Sequence, residues 1–529
     1  MAYRPSVLRA IFALSYRRLF DVSNGVALLG AVLVAWLCCA TSLHRPYIGD
    51  FMDDGEYFVA AQSIRDGHGY RLLSRPTSPA EAKYPPGLSL IAAGLLPAEG
   101  RTVEADFRAA RLVALVAGIV YSLASFATLR LLGVPGLAAA GCLVPALFGD
   151  VVLTESLTLL SDIPFAACCS LVALIWALLR TGRIAPNGWV ALSLGIVAGA
   201  SYTLRSNGVA LCISCLAFTV VAPKRFRFAG VYILAVAFLP VLARALTPLA
   251  PGAAPSEPYS VNWIAYSSVQ AGLAIWMRNV GSYIGVLPTL FVPVLNTNLL
   301  VRHPLVTSGI RIVVWLAVLR GVWLTRQHVR RVDLPPILFL AFTIAICVIW
   351  PWELYLRIAV PFMPFLIAVG LSGGDFFSNW RVPFKTLALG GVVVLTAAQA
   401  TMIVRALRYP GHGLDEAFQF VRSQTEADAV IVTQLPETAF LYTGRQAIKL
   451  LGDSDLMSNH LGNWASIDAW RTLAQQRAFY LLGPPPAEGS TDLLTRHMTA
   501  LAMNAPNRLE EVYRTSMGDY AVLRIVSSK

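Results

Sequence analysis

Apolar runs of about 17–25 residues recur along the chain, separated by short charged or proline-rich stretches. A helix of that length crosses the hydrocarbon core of a bilayer. The pattern predicts spans at 22–43, 109–131, 134–151, 156–179, 188–204, 207–222, 229–248, 305–325, 334–350, 358–372 and 386–404. Residues 281–300 are apolar but interrupted by Pro288 and Pro293, and read as an interfacial or re-entrant piece. The expected total is about eleven spans, within a range of about eleven to thirteen. Beyond residue 405 the pattern changes. Short apolar runs at 429–433, 447–451 and 478–482 read as strands, and 509–514 with 520–526 as a strand pair. Amphipathic stretches at 414–422 and 467–477 read as helices. The expected organisation is an all-α polytopic membrane domain over 1–405 and a small α/β domain over 406–529.

Composition fixes the class. Of 529 residues 56% are hydrophobic and 14% charged, well below the roughly 25% charged of soluble domains. Mean hydropathy is +0.61. Such a chain is neither a soluble enzyme nor a disordered or fibrous protein. All eight cysteines lie inside apolar runs, so no disulfide framework or thiolate metal site is implied. The first apolar run lacks a small-residue cleavage site and reads as a retained span.

Net charge is +12. The basic residues collect in short loops rather than in a stripe interleaved with aromatics, which argues against nucleic acid. Arg4, Arg9, Arg17 and Arg18 place the N-terminus in the cytoplasm, as Arg180, Arg183, Lys224, Arg225, Arg227, Arg330 and Arg331 do for later loops. The first loop, 44–106, a Pro-rich loop at 249–280 and the C-terminal domain then fall outside the membrane.

The candidate chemistry lies in that first outer loop. Asp50, Asp53, Asp54 and Glu56 put four carboxylates within seven residues, followed by Tyr57. On a helix Asp50, Asp53, Asp54 and Tyr57 share a face. Crowded carboxylates raise one another's pKa or call for a cation, which suits a general base or a divalent-metal site. Lys83 precedes a Pro85-Pro86 turn, and a lysine there presents a point charge to a phosphate. Glu155 and Asp162 are seven residues apart near the start of an expected span, and acids at such positions are costly and usually functional. Arg205 and Arg357 fall on the outer side against the charge rule, where guanidinium suits phosphate; a pair between Arg357 and Glu353 is the plainer alternative. His68 is a candidate metal ligand, although a lone loop histidine is ordinarily neither ligand nor base.

An acidic pair and a Tyr after span 1, then Lys and Pro-Pro some thirty residues later, resemble the GT-C superfamily of membrane glycosyltransferases. The likeness is nearest to its protein O-mannosyltransferase and lipid A aminoarabinose transferase branch. Arg357 with Pro361 and Pro364 resembles a late-span pattern of the same superfamily, with Ile358 where a Tyr is usual. The resemblance implies an enzyme that takes a sugar from a polyprenyl-phosphate carrier on the extracytoplasmic face and passes it with inversion to a lipid, glycan or protein acceptor. It implies Asp53 as the catalytic aspartate with Asp54 as its acidic neighbour, and Lys83 at the carrier phosphate. The extra acids Asp50 and Glu56 leave the base open between Asp53 and Asp54, and leave a divalent metal open. A bacterial inner-membrane location is the expected setting. A transporter or flippase explains the spans but not the acidic loop. A lipid-linked-glycan ligase or polymerase ordinarily uses Arg and His in a late outer loop, whereas here the longest outer loop is the first and is acidic.

Overall fold

A computed structural model describes residues 5–42, 48–49, 53–97, 102–247, 268–286, 288, 304–326, 329–350, 356–373, 401, 413–450, 464, 467–468, 477–487 and 492–526. The expected span at 386–404 (only residue 401 excepted), most of the expected helix at 467–477, and the boundary at 405/406 lie outside them.

The chain opens with α1 (Pro5–Ser42), followed by α2 (Asp53–Arg65), α3 (Gly87–Leu95) and α4 (Val103–Ala110). There follow α5 (Leu112–Leu131), α6 (Gly136–Phe148), α7 (Asp150–Glu155), α8 (Asp162–Arg180), α9 (Gly188–Leu204), α10 (Gly208–Leu216) and α11 (Arg225–Leu246). Then come α12 (Val269–Val286), α13 (Pro304–Thr325), α14 (Leu334–Ile349), a 3-10 segment (Leu356–Phe362) and α15 (Met363–Gly373). Among the described residues five segments are long and apolar enough to cross a membrane: Ser23–Thr41, Val103–Leu131, Asp162–Arg180, Arg225–Leu246 and Arg331–Ile349. Shorter apolar helices accompany them, so the expected count of eleven is not reached there. Leu234, Phe238 and Val241 of α11 are exposed, as are Ile312, Leu316 and Leu319 of α13. Water would not tolerate such belts, and this is a multi-pass helical membrane protein.

Two expectations change. Residues 269–280, expected as loop, are helical, within a helix that runs on to Val286; residues 287 and 289–300 of the expected re-entrant piece lie outside the described residues. The prolines that suggested a loop end at Pro258, and Asn279, 1% exposed, ties α12 down by donating to the carbonyls of Cys347, Val348 and Trp350 at the end of α14. The span expected at 156–179 starts only at Asp162. Residues 156–159 form a turn, so Glu155 and Asp162 do not share one helical face.

Small residues bring the membrane helices together, as bilayer packing requires. A Cβ on Gly25 of α1 would meet the backbone of Gly136 at 2.6 Å, and one on Gly199 of α9 would meet Val236 O of α11 at 2.6 Å. Trp36, fully buried, lies across Gly118 of α5. Tyr121 donates to Val360 O at 2.8 Å, fixing the 3-10 segment against α5. Pro361 and Pro364 account for that segment's departure from α-helix.

The C-terminal part has α16 (Leu414–Gln424), β1 (Val430–Thr433), α17 (Pro436–Thr443), β2 (Gln446–Lys449), β3 (Phe479–Gly483), α18 (Leu493–Asn504), β4 (Leu509–Arg514) and β5 (Ala521–Ile525). The sheet order is β2-β1-β3-β5-β4. The first three strands are parallel, and β5 joins antiparallel to β3 and β4. β1 and β3 are wholly buried because helices cover both faces: Phe418 of α16 and Ala439 of α17 on one, Met498 and Leu501 of α18 on the other. Every expected strand is present. α17 and α18 were not anticipated, although Pro436 at the first helical position and the Asp492 N-cap are both start signals.

The Trp36 contact yields a stability prediction. A Cβ at Gly118 would stand 2.2 Å from the Trp36 ring, so Gly118→Ala should cost about 1–3 kcal/mol through overpacking. Thermal unfolding of the detergent-purified protein should show a lower midpoint, and an unchanged midpoint would contradict this packing.

Candidate active site

α2 starts at Asp53 with Asp53, Asp54 and Glu56 in its first turn and ends on Arg65, the charge order a helix dipole favours. Arg65 pairs with Asp106 of α4 at 3.0 Å, which fixes the far end of α2. Ser89 of α3 donates to Tyr57 O at 3.0 Å. The Lys83-Tyr84 corner is shaped by Glu81, whose Oε1 accepts both their backbone N–H groups at 2.5 and 3.1 Å. Tyr70 donates to Tyr84 O at 3.2 Å.

This scaffold aims Asp53 at a charged hub. Tyr84 donates its hydroxyl proton to Asp53 Oδ1 at 2.6 Å. Arg357 Nη2 stands 3.6 Å from Asp53 Oδ2. The same guanidinium lies 4.0 Å from Glu155 Oε1 and 3.9 Å from Asp162 Oδ2. Arg205 pairs with the other oxygen of Asp162, and Tyr57 donates to Ser161 at 3.2 Å. Asp53, Glu155, Asp162, Arg205 and Arg357 therefore meet, although the outermost are more than three hundred residues apart. Asp162 opens α8 and gains from its dipole. Glu155 ends α7; it is 3% exposed and neither carboxylate oxygen has a hydrogen-bond partner. Burial pushes its carboxyl up to about 8, with Arg357 and Arg205 pulling down and Asp53 pushing further up.

The other candidates are placed differently. Asp54 is fully buried and accepts the Gly49 N–H at 3.2 Å, so it faces the 48–49 turn instead of the hub. One residue along a helix turns a side chain by about 100°, which separates it from Asp53. Asp50 lies outside the described residues. Glu56 points to a second cluster, 3.9 Å from Lys83 Nζ and 3.7 Å from Arg75 Nη2. Burial raises its carboxyl, Lys83 lowers it, and Glu437 and Glu81 raise it again. The Lys83 ammonium also stands 4.9 Å from the centre of the Tyr84 ring, one residue from the hub. His68 is exposed between two positive-φ glycines, Gly67 and Gly69, and does not join either cluster. Among the described residues no group of three or more His, Cys, Asp or Glu forms a metal-holding set; the acids converge on guanidinium groups instead. Tyr84, Glu81, Arg75 and Glu437 escaped the sequence reading. Tyr84 was legible as a neighbour of Lys83, whereas Glu437 carried no signal.

No protein-family model and no curated protein sequence matches the chain. Its fold is similar to that of solved structures. One is ArnT from Cupriavidus metallidurans bound to undecaprenyl phosphate, at 14% identity and TM-score 0.53, covering 95% of this chain and 98% of that chain. The apo state of the same protein gives 15% identity and TM-score 0.51 over 95% and 97%. The Archaeoglobus fulgidus oligosaccharyltransferase tethered with an acceptor peptide gives 12% identity and TM-score 0.50, covering 86% of this chain and 69% of that one. Both proteins are GT-C superfamily members. The chain thus has the GT-C fold, a polytopic helical bundle carrying a small C-terminal sheet.

The hub yields its own prediction. Above about pH 8, where Glu155 is ionised, Arg357→Ala leaves Glu155 and Asp162 buried with less positive charge and should cost roughly 2–4 kcal/mol. Adding Glu155→Gln to that variant should recover part of the loss in thermal unfolding. Failure of the second substitution to restore any stability would show that Arg357 does not balance Glu155.

Proposed function

We propose that this protein is a membrane glycosyltransferase that moves a sugar from a polyprenyl-phosphate carrier to an acceptor on the extracytoplasmic face. The observation that carries the reading is the hub: one carboxylate, Asp53, held by Tyr84 beside a guanidinium pair, in a chain with the GT-C fold. Asp53 accepts the proton of the acceptor hydroxyl or amine. The freed lone pair attacks the anomeric carbon and the bond from that carbon to the phosphate oxygen breaks. Configuration inverts and polyprenyl phosphate leaves. Arg357, Arg205 and Lys83 meet the phosphate charge as it develops. Because Asp53 faces the hub and Asp54 does not, Asp53 takes the role of base. Glu155 and Asp162 orient the two arginines. The 406–529 domain contributes cover and acceptor recognition.

The geometry of α8 supports the orientation. Its first residue, Asp162, stands in the hub, and its last, Arg180, pairs with Asp333 beside Arg330 and Arg331. Nineteen residues make a helix about 28 Å long, close to the hydrocarbon thickness. With the basic end in the cytoplasm, the hub opens outward. A bacterial inner membrane is the setting this reading assigns.

Purified protein should release polyprenyl phosphate from a matching polyprenyl-phosphate sugar, read by mass spectrometry. Asp53→Asn and Lys83→Ala should remain folded and lose about 100-fold or more of that release. Normal transfer by both variants would refute the site, and donor translocation without release would favour the transporter.

A further inference from the structure

The C-terminal part reaches the first outer loop through α17, and glycine permits the approach. A Cβ at Gly55 would stand 2.6 Å from Glu437 Cβ. Gly49, at φ +89°, lies so close to Thr438 that a Cβ there would meet its Oγ1 at 2.5 Å. Hydrogen bonds from the neighbouring β2 fasten the same loop. The Ala447 N–H donates to Ser74 O at 2.7 Å and Gln446 Nε2 donates to Arg75 O at 3.0 Å.

A row of alternating charges crosses this contact. Glu437, 1% exposed, lies 2.8 Å from Arg75 Nη2 and accepts a hydrogen bond from Ser74 at 3.4 Å. The same Nη2 is 3.7 Å from Glu56 Oε1, and the other oxygen of Glu56 is 3.9 Å from Lys83 Nζ. The unequal distances matter. Arg75 leans toward Glu437, so Glu56 is left with charge to spend on Lys83. Glu81 gives its Oε1 to the backbone N–H groups of Lys83 and Tyr84 and so sets the backbone of this corner.

We propose that Glu437 of the C-terminal part is a positioning residue that restrains Lys83, acting through Arg75 and Glu56 and so lowering the affinity of the site for polyprenyl phosphate. The proposal rests on the assignment of Lys83 to the carrier phosphate. A phosphate must compete with Glu56 for the Lys83 ammonium. Neutralising Glu437 lets Arg75 turn fully to Glu56, and Lys83 is released to the phosphate. The restraint keeps the product, polyprenyl phosphate, from being held too tightly after transfer.

The test measures the Kd of undecaprenyl phosphate for the full-length protein in nanodiscs. Glu437→Gln, which keeps the side-chain shape against Gly55, should tighten binding about fivefold. Glu56→Gln should tighten it likewise, and the double variant should gain little more. Lys83→Ala should weaken binding about tenfold, and adding Glu437→Gln to it should restore nothing. A purely structural role for Glu437 predicts weaker binding, which would overturn the proposal. So would unchanged binding, or an equal gain in the Lys83→Ala background. Should Glu437→Gln fail to fold, Glu56→Gln decides by the same criterion. Wild-type affinity in Lys83→Ala would instead remove the phosphate assignment itself, and the proposal with it.

Discussion

One guanidinium among three carboxylates governs the arrangement. Arg357 lies within 4.0 Å of Asp53, Glu155 and Asp162, and these four residues come from four separate segments. Two of the acids are almost wholly removed from solvent, and buried charge without a counter-charge is expensive. The start of α2, the end of α7, the start of α8 and the 3-10 segment must therefore converge for the bundle to be stable. Arg205 supplies the second positive charge through Asp162. Tyr121, by holding Val360 O, keeps the 3-10 segment where Arg357 can serve all three.

That requirement also makes the hub suited to chemistry. Asp53 is the acid of the three with the most exposure, 27% for its side chain against 3–4% for the other two. It is thus the one an incoming nucleophile can reach. Tyr84 fixes its orientation, Glu81 fixes Tyr84, and Lys83 follows from the same corner. In the proposed reaction the positioned acid and guanidinium groups need no rearrangement as charge develops on a departing phosphate. The first loop in turn packs against α17, and Glu437 is linked to Lys83 through Arg75 and Glu56.

Much of this was legible in the sequence because it rests on local pattern. The 188–204 span was anticipated with the bounds that α9 shows, and each C-terminal strand to within two residues. Hydrophobic period and length report such elements directly. The residues that meet in the hub were each noticed for a local oddity: crowded acids at 53–56, acids at the start of a span, arginines on the wrong side for the charge rule. What the sequence could not supply was direction. Asp53 and Asp54 look equivalent until the helix start fixes which one faces Arg357. Glu155 and Asp162 looked like one helical face until α8 began at Asp162, with a turn between them. Glu437 pairs with Arg75 across more than three hundred and sixty residues, and nothing local marks it. α12 was hidden by the prolines before it and is explained by Asn279, a contact made only after folding.

The most direct measurement is an experimental structure of the full chain with polyprenyl phosphate bound. The phosphate should lie between Lys83 and Arg357, within hydrogen-bond reach of a guanidinium and beside the Asp53 carboxylate, with the lipid tail running along the membrane helices. A phosphate found at the opposite, basic end of α8 near Arg180, or one that leaves the Asp53–Arg357 contact untouched and unapproached, would contradict the account.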